Sequence, residues 1–328
     1  MMGVFFPGMA QDPAINCSDS TFCVPGVIGL PRTKGVHLKY ERILDYGIKS
    51  YSKDDNIRND HNQVQLNRRL EFKARVPLVV KPHLSMAVGF KYFTERYDFE
   101  NTRSNYPFYQ SLNNKPLKSI GGALYVVKPF RGNTYALLRV SADLNGDYNL
   151  DDISTARFLR VSISPLIGFK RNDYISYAFG LSYNYIFGRP LVSPVVAYNQ
   201  TFNRKWGIEL LLPSNAKLRY SPNPKNYWYA VAELNGANYT IRLPDSTLAR
   251  NSSLYLQKSE VRVLLNYERE IYDFLWFGLE AGVRTNINFS LSESVHRRRD
   301  PIIRNQLNNA LLLNASLFIV PPRKFVKE

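Results

Sequence analysis

The chain has no run approaching the roughly 18 consecutive apolar residues that a membrane-spanning helix requires, and no long segment repeats apolar residues at i, i+3 and i+4. Both absences argue against a helical membrane protein. Cysteine is nearly missing: only Cys17 and Cys23 occur, with five residues between them. A zinc site would need further Cys or His ligands beside them, and none is present. In an oxidising compartment the two could close a small disulfide; the lead-in Ala14, Ile15, Asn16 is a poor one for a lipid on Cys17. Histidine is also scarce, at four residues. A barrel hydrolase sets a His beside a nucleophile or carboxylate at its rim, but His37 opens a strand and His83 sits in a turn. His61 beside Asp60, and His296 near Ser292, Ser294 and Asp300, form no recognised catalytic set. The reading is of a protein that is not an enzyme and carries no cofactor.

What is present is alternation. Tyr 22 and Phe 19 are high for a chain whose mean hydropathy is only −0.29, a mixture expected when apolar and polar residues take turns along strands. From Tyr174 to Phe187 the odd positions are Ile175, Tyr177, Phe179, Leu181, Tyr183, Tyr185 and Phe187, whereas the even ones are small or polar up to Ile186. That period of two marks a β-strand with one greasy face and one polar face. It recurs from Gly35 onward. Val36, Leu38, Tyr40, Leu44 and Tyr46 share a face opposite His37, Lys39, Glu41 and Asp45. Val64, Leu66, Leu70, Phe72, Ala74 and Val76 lie opposite Asn67, Arg69, Glu71, Lys73 and Arg75. Such a row of hydrophilic side chains cannot be a dry core, so it faces water or a paired polar interior.

The connections alternate in length. Lys128 to Asn133, Arg171 to Asp173, Thr201 to Lys205, Ser221 to Asn226 and Tyr272 to Phe274 are short; Asn101 to Asn114, Asn145 to Ala156, Pro244 to Ser253 and Ser292 to Gln306 are long and polar. Short turns on the periplasmic side and long loops outside are how bacterial outer-membrane barrels are built. The expectation is an all-β, transmembrane, antiparallel up-and-down β-barrel of about 14 strands, or 12 because Pro213 to Tyr220 is hard to divide. It spans residues 35–320 in the bacterial outer membrane. A remnant of a signal peptide (1–10), a periplasmic segment (11–34) and a tail (321–328) surround it; a frayed N-terminus is the alternative for the first stretch.

Trp206, Trp228 and Trp276 each fall at the end of a short turn and are expected to form an aromatic belt at one headgroup level. Arg42, Arg68 and Arg96 lie on apolar faces toward the loop side, where they either bind lipopolysaccharide phosphates or are simply solvated strand ends. Lumen charges are expected at Lys39, Glu41, Arg69, Glu71, Lys73, Arg75, Arg139, Asp143, Arg160, Glu209, Glu260, Arg262, Glu268, Glu280 and Arg284. Their mixed signs can pair with one another and leave little open water. Asp143, Asn145, Asp147, Asn149 and Asp151 place oxygens at alternate positions, as calcium loops do. The glycine is misplaced and no closing Glu follows, so a plain Asx-rich loop is favoured and no metal is assigned.

The net charge of +16 suggests an anionic neighbour. The basic residues are spread over turns, loops and alternate strand positions instead of being gathered on one element, so nucleic acid is not the expected partner. Outer-membrane lipid is, with other outer-membrane proteins as a further possibility.

The start Gly35 to Glu41, the stretch Leu212 to Tyr220 and the final strand Asn314 to Phe318 resemble a family of outer-membrane β-barrels of unknown function from Bacteroidota-type bacteria. The resemblance implies a barrel and its location, and brings no catalytic residues with it. Two functions follow as expectations: a narrow channel for small solutes, with Arg69, Glu71, Lys73 and Arg75 setting selectivity, or a non-conducting accessory barrel that binds partners through its loops.

Overall fold

The computed structural model describes residues 25–54, 57–101, 106–148, 155–243, 254–295 and 301–323. Cys17 and Cys23, the signal remnant, Asn149 and Asp151 lie outside them. The alternating stretches form strand segments β1 (Val36–Ile43), β2 (Tyr46–Ser52), β3 (Asp60–Lys81), β4 (Leu84–Phe99), β5 (Leu117–Pro129), β6 (Thr134–Gly146), β7 (Leu159–Asn172) and β8 (Ile175–Asn184). They continue with β9 (Leu191–Thr201), β10 (Trp206–Leu212), β11 (Asn215–Asn223), β12 (Asn226–Ile241), β13 (Leu254–Glu270), β14 (Leu275–Ser292), β15 (Ile303–Leu307) and β16 (Ala310–Ile319). Two helices, α1 (Pro107–Asn114) and the single turn α2 (Thr155–Phe158), sit in loops.

Each strand pairs antiparallel with its neighbours, and the ring closes. β1 and β2 share one place in the wall, since both pair with β3 while β1 also pairs with β16 and β2 with β15. β15 and β16 likewise share one place against β14. The sixteen segments therefore make a closed fourteen-stranded barrel, the first of the two expected counts. Pro213 and Ser214 divide β10 from β11.

The wall is greasy outside. On β8, Tyr177, Phe179 and Leu181 are exposed while Ser176, Ala178, Ser182 and Asn184 are buried. On β13, Val263 and Leu265 are 61% and 67% exposed around a Leu264 that is 2% exposed. On β3 the apolar face runs from Leu70 to Val80. At about 3.3 Å per residue and a tilt near 40°, that span rises about 25 Å, the height of a barrel's lipid-facing band. A continuous apolar belt of this extent is foreign to a soluble surface.

Three local expectations fail, each for a physical reason. Tyr46 is buried in the barrel instead of sharing the outer face with Tyr40, because Leu44 and Asp45 interrupt the ladder and β2 restarts out of phase. The β8 strand stops at Asn184, not Phe187: the Asn184 side-chain oxygen accepts the Ile186 N–H at 2.9 Å, and Gly188 takes a φ of +76°, so Tyr185 to Pro190 turns inward. Finally, Asn101 to Asn114 is not simply a polar loop. Pro107 starts α1, which presents Phe108, Tyr109 and Leu112 on one face.

That face fills the loop end of the lumen. Phe108 meets Phe289 at 5.9 Å and Tyr109 meets Phe99 at 5.1 Å, the Tyr109 hydroxyl hydrogen-bonds Ser50 at 2.7 Å, and the Ser111 hydroxyl donates to the Arg242 carbonyl at 2.9 Å. Ile43, Ile48, Leu117, Ile241, Leu254 and Leu291 complete an apolar core inside the barrel. Ser50, Ser290 and Asn305 are buried polar residues set into this core, and the ion pairs of the interior lie below it.

Candidate functional site

Beneath the apolar plug lies a layer of charge. Register places Glu41 opposite Arg69 and Arg69 opposite Glu95 across β1, β3 and β4, and places Glu233, Arg262 and Arg284 in line across β12, β13 and β14. The two groups meet through the lumen. Arg69 donates from Nε to Glu95 at 2.7 Å, from Nη1 to Glu41 at 2.8 Å, and from Nη1 and Nη2 to Glu260 at 2.7 and 3.0 Å. Arg262 reaches Glu41 at 2.9 Å and Glu260 at 2.8 Å, and Lys258 bonds Glu95 at 2.7 Å. Arg284 sits 3.9 Å from Glu260, over the Tyr46 ring at 4.2 Å. Lys39 pairs with Glu280 at 2.5 Å. Five cations (Lys39, Arg69, Lys258, Arg262, Arg284) thus face five carboxylates (Glu41, Glu95, Glu233, Glu260, Glu280). Charges this buried persist only when paired and hydrogen-bonded, and the layer meets that condition. A cavity of about 120 Å³ adjoins it.

A larger cavity, about 270 Å³, runs from the short-turn mouth beside Arg32 and Lys34 up to Asn145, Arg160 and Tyr239 near the loop ends of their strands. Eight Lys and Arg side chains and five Asp and Glu side chains line it, leaving three positive charges in excess. The excess gathers on one wall. Lys73 and Arg75 come from β3, Lys91 from β4 and Arg139 from β6, and Gly89 and Gly122 line the surface between them. Lys73 pairs with Glu71 at 2.8 Å and Lys91 with Asp143 at 3.3 Å. Arg75 and Arg139 also converge on one ring, their guanidinium carbons 4.1 and 5.7 Å from the Tyr125 centroid, and among the described residues the buried Arg139 Nε has no hydrogen-bond partner. Arg160 plays a different part: it bonds Asn238, Thr240 and the Arg157 carbonyl at 2.9, 2.9 and 3.0 Å and ties α2 to β12. On the far side the infolded segment crowds β12, where a Cβ on Gly236 would meet the Ile186 carbonyl oxygen at 2.0 Å, so only glycine fits.

The segment before β1 crosses the mouth of this cavity as a strap. The Ile28 N–H donates to the Asp173 carbonyl at 2.8 Å in the β7–β8 turn. Nearly opposite, Arg32 bonds Asp273 at 3.0 Å in the β13–β14 turn and the Pro321 carbonyl at 2.7 Å; Lys34 bonds Glu268 at 2.6 Å. Arg323 closes on Glu270 and Asp273 from the tail. Burial would lift the Asp273 carboxyl, but the Arg323 backbone N–H and the Arg32 and Arg323 charges outweigh it and hold this acid below its ordinary value.

Of the expected belt, Trp206 and Trp228 face outward, in a cross-strand row with Tyr220 and Tyr267. Trp276 does not. It is 4% exposed and points into the lumen, packed against Tyr227 at 5.7 Å and Phe318 at 6.1 Å. The pattern already held the signal: Trp276 shares the even positions of β14 with Glu280 and Arg284, both expected inside. Of the calcium candidates, the three described ones are otherwise engaged or held in the wall. Asp143 and Asn145 belong to β6, Asp143 faces Lys91, and Asp147 accepts the Arg242 N–H at 3.0 Å. Among the described residues no group of His, Cys, Asp and Glu is spaced to hold a metal.

A family model described as a domain of unknown function, DUF6268, matches residues 42–316. The chain belongs to the DUF6268 family. Curated proteins yield no match. Among solved structures this DUF6268 barrel is similar to a Pseudomonas aeruginosa FadL homologue, with 8% identity over 95% of this chain and 99% of that one at a TM-score of 0.39. It is also similar to an outer-membrane channel from Pseudomonas putida F1, with 10% identity, coverage of 91% and 98%, and a TM-score of 0.41. The Pseudomonas putida toluene transporter TodX matches at 9% identity over 88% and 90%, with a TM-score of 0.33. These likenesses concern the fold alone. The Bacteroidota origin that the sequence resemblance implied stays an expectation.

Proposed function

We propose that this DUF6268 barrel resides in the bacterial outer membrane and is a gated, narrow channel for small anionic solutes, closed in the state described. The observation that carries the reading is the basic wall of the 270 Å³ cavity, with its surplus of three positive charges. Fixed cations in a low-dielectric enclosure concentrate anions, and rings of Arg and Lys are how pores select them. Of the four residues expected to set selectivity, Arg69 is held in the central layer and Glu71 is paired with Lys73. Arg139, beside Arg75 over the Tyr125 ring, is the group best able to meet a carboxylate or phosphate. In this orientation the cavity faces the periplasm, the strap covers its entrance, and the α1 plug closes the outer end.

The completeness of the plug and of the ten-charge layer favours a second reading, a non-conducting accessory barrel. Planar-bilayer recording separates them. The channel reading expects discrete openings whose reversal potential in a salt gradient reports anion preference, and Arg75→Gln/Arg139→Gln moves that potential toward zero. No openings, from the wild type or from a protein whose plug is loosened by Phe108→Ala, would leave the accessory role.

A further inference from the structure

The outer surface carries three arginines in one file. Arg42 on β1 stands opposite Arg68 on β3, and Arg68 stands opposite Arg96 on β4. All three are exposed on the lipid-facing side. Neighbouring strands are about 4.8 Å apart, so the register stacks like charges side by side. Folding gains nothing from this, because like charges directly opposite on a sheet repel. Asp98 relieves only the middle one, at 2.7 Å from Arg68. Among the described residues, no carboxylate lies within ion-pair distance of Arg42 or Arg96.

Toward the mid-membrane the tiers below the file carry no charge and are apolar apart from Thr94. Tyr40, Leu70 and Thr94 come first and Leu38, Phe72 and Tyr92 next, each trio in register across the same three strands. The file therefore tops the apolar band that begins at Leu70. A ligand matching this surface has acyl chains at the level of Leu38 and Phe72 and negative charge at the level of the arginines. Guanidinium groups suit phosphate because their planar fork of N–H donors matches its oxygens two at a time.

We propose that Arg42, Arg68 and Arg96 form a binding site for the phosphorylated headgroup of an outer-leaflet glycolipid of the lipid A class, whose acyl chains lie along β1, β3 and β4. The site rests on the outer-membrane orientation proposed above, with the loop end outward. It explains why the fold keeps a repulsive row where any polar residue would cap the band.

The test uses the full chain folded in detergent and native mass spectrometry with three probes: diphosphorylated lipid A, the same lipid without phosphates, and inorganic phosphate as competitor. The wild type should bind the phosphorylated lipid at least about tenfold more tightly than Arg42→Gln/Arg68→Gln/Arg96→Gln, equivalent to about 1.4 kcal/mol. The dephosphorylated lipid should bind both equally weakly, and Asp98→Asn should tighten binding. If the triple variant does not give the folded, heat-modifiable band, Arg42→Gln/Arg96→Gln replaces it. Equal lipid binding by wild type and variant overturns the site. So does displacement by inorganic phosphate as effective as by lipid, which would mark a site for free anions. Membrane fractionation tests the location separately: a chain absent from the outer membrane refutes the orientation whatever the lipid result, and a chain present there with no lipid preference refutes the site alone.

Discussion

Replacing Glu260 by glutamine removes one carboxylate from a layer in which five cations and five carboxylates balance. The lost partner accepts two hydrogen bonds from Arg69, at 2.7 and 3.0 Å, and two from Arg262, from Nε at 2.8 Å and from Nη2. The amide is close in shape, so the change is one of charge: an uncompensated cation is left among groups that are almost entirely buried. Breaking a buried pair in this way costs about 3–5 kcal/mol, and the adjoining cavity, if wet, brings the expectation to the lower end, about 3 kcal/mol. Arg284 is the natural second site. It is 1% exposed, and among the described residues Glu260 at 3.9 Å is its ion-pair partner and its Nε and Nη2 have no hydrogen-bond partners. Glu260→Gln/Arg284→Gln restores neutrality and should cost less than the sum of the single changes by about 1–2 kcal/mol. Urea unfolding of the protein in lipid vesicles, followed by tryptophan fluorescence, measures all four corners of the cycle. Additivity within about 0.5 kcal/mol would refute the view that the layer acts as one balanced unit.

Phe108→Ala should empty part of the loop-end core, lowering stability by about 3–5 kcal/mol in the same unfolding assay; an unchanged midpoint would mean that α1 is not held by the aromatic cluster. The strap should answer to acid. Asp273 is held below its ordinary value in the folded protein, so its contribution is present above the unfolded carboxylate value of about 3.9 and is lost as pH falls through the folded one. The strap therefore stays latched at neutral and mildly acidic pH, and limited proteolysis with an acid-active protease should cut residues 25–34 only below about pH 4. Cutting that already rises near pH 6 would show that Arg32 and Asp273 do not hold it.

The strand pattern was legible because it is local. The alternation in Tyr177, Ala178, Phe179, Gly180, Leu181 and Ser182 states which face is apolar without reference to any other strand, and short turns at Arg171 to Asp173 or Thr201 to Lys205 state where a strand ends. From these the all-β barrel and its fourteen places followed. The inward side of Arg69, Glu260, Arg262 and Arg284 was readable in the same way. Trp276 follows a short turn as Trp206 and Trp228 do, yet its parity on β14 is that of Glu280 and Arg284, and parity decides the face.

What only the tertiary structure decided is who meets whom through the lumen. Lys39 and Glu280 are 241 residues apart, and Arg69 and Glu260 are 191 apart. No period reaches so far, and closure of the ring alone brings β1, β3 and β4 against β12, β13 and β14. The same closure converts a segment that reads as a polar loop into a plug, since Phe108, Tyr109 and Leu112 pack into an apolar cluster that β2, β4 and β14 build together inside the cylinder. It also sets Arg42, Arg68 and Arg96 in one file, because register is a property of paired strands and not of any strand by itself.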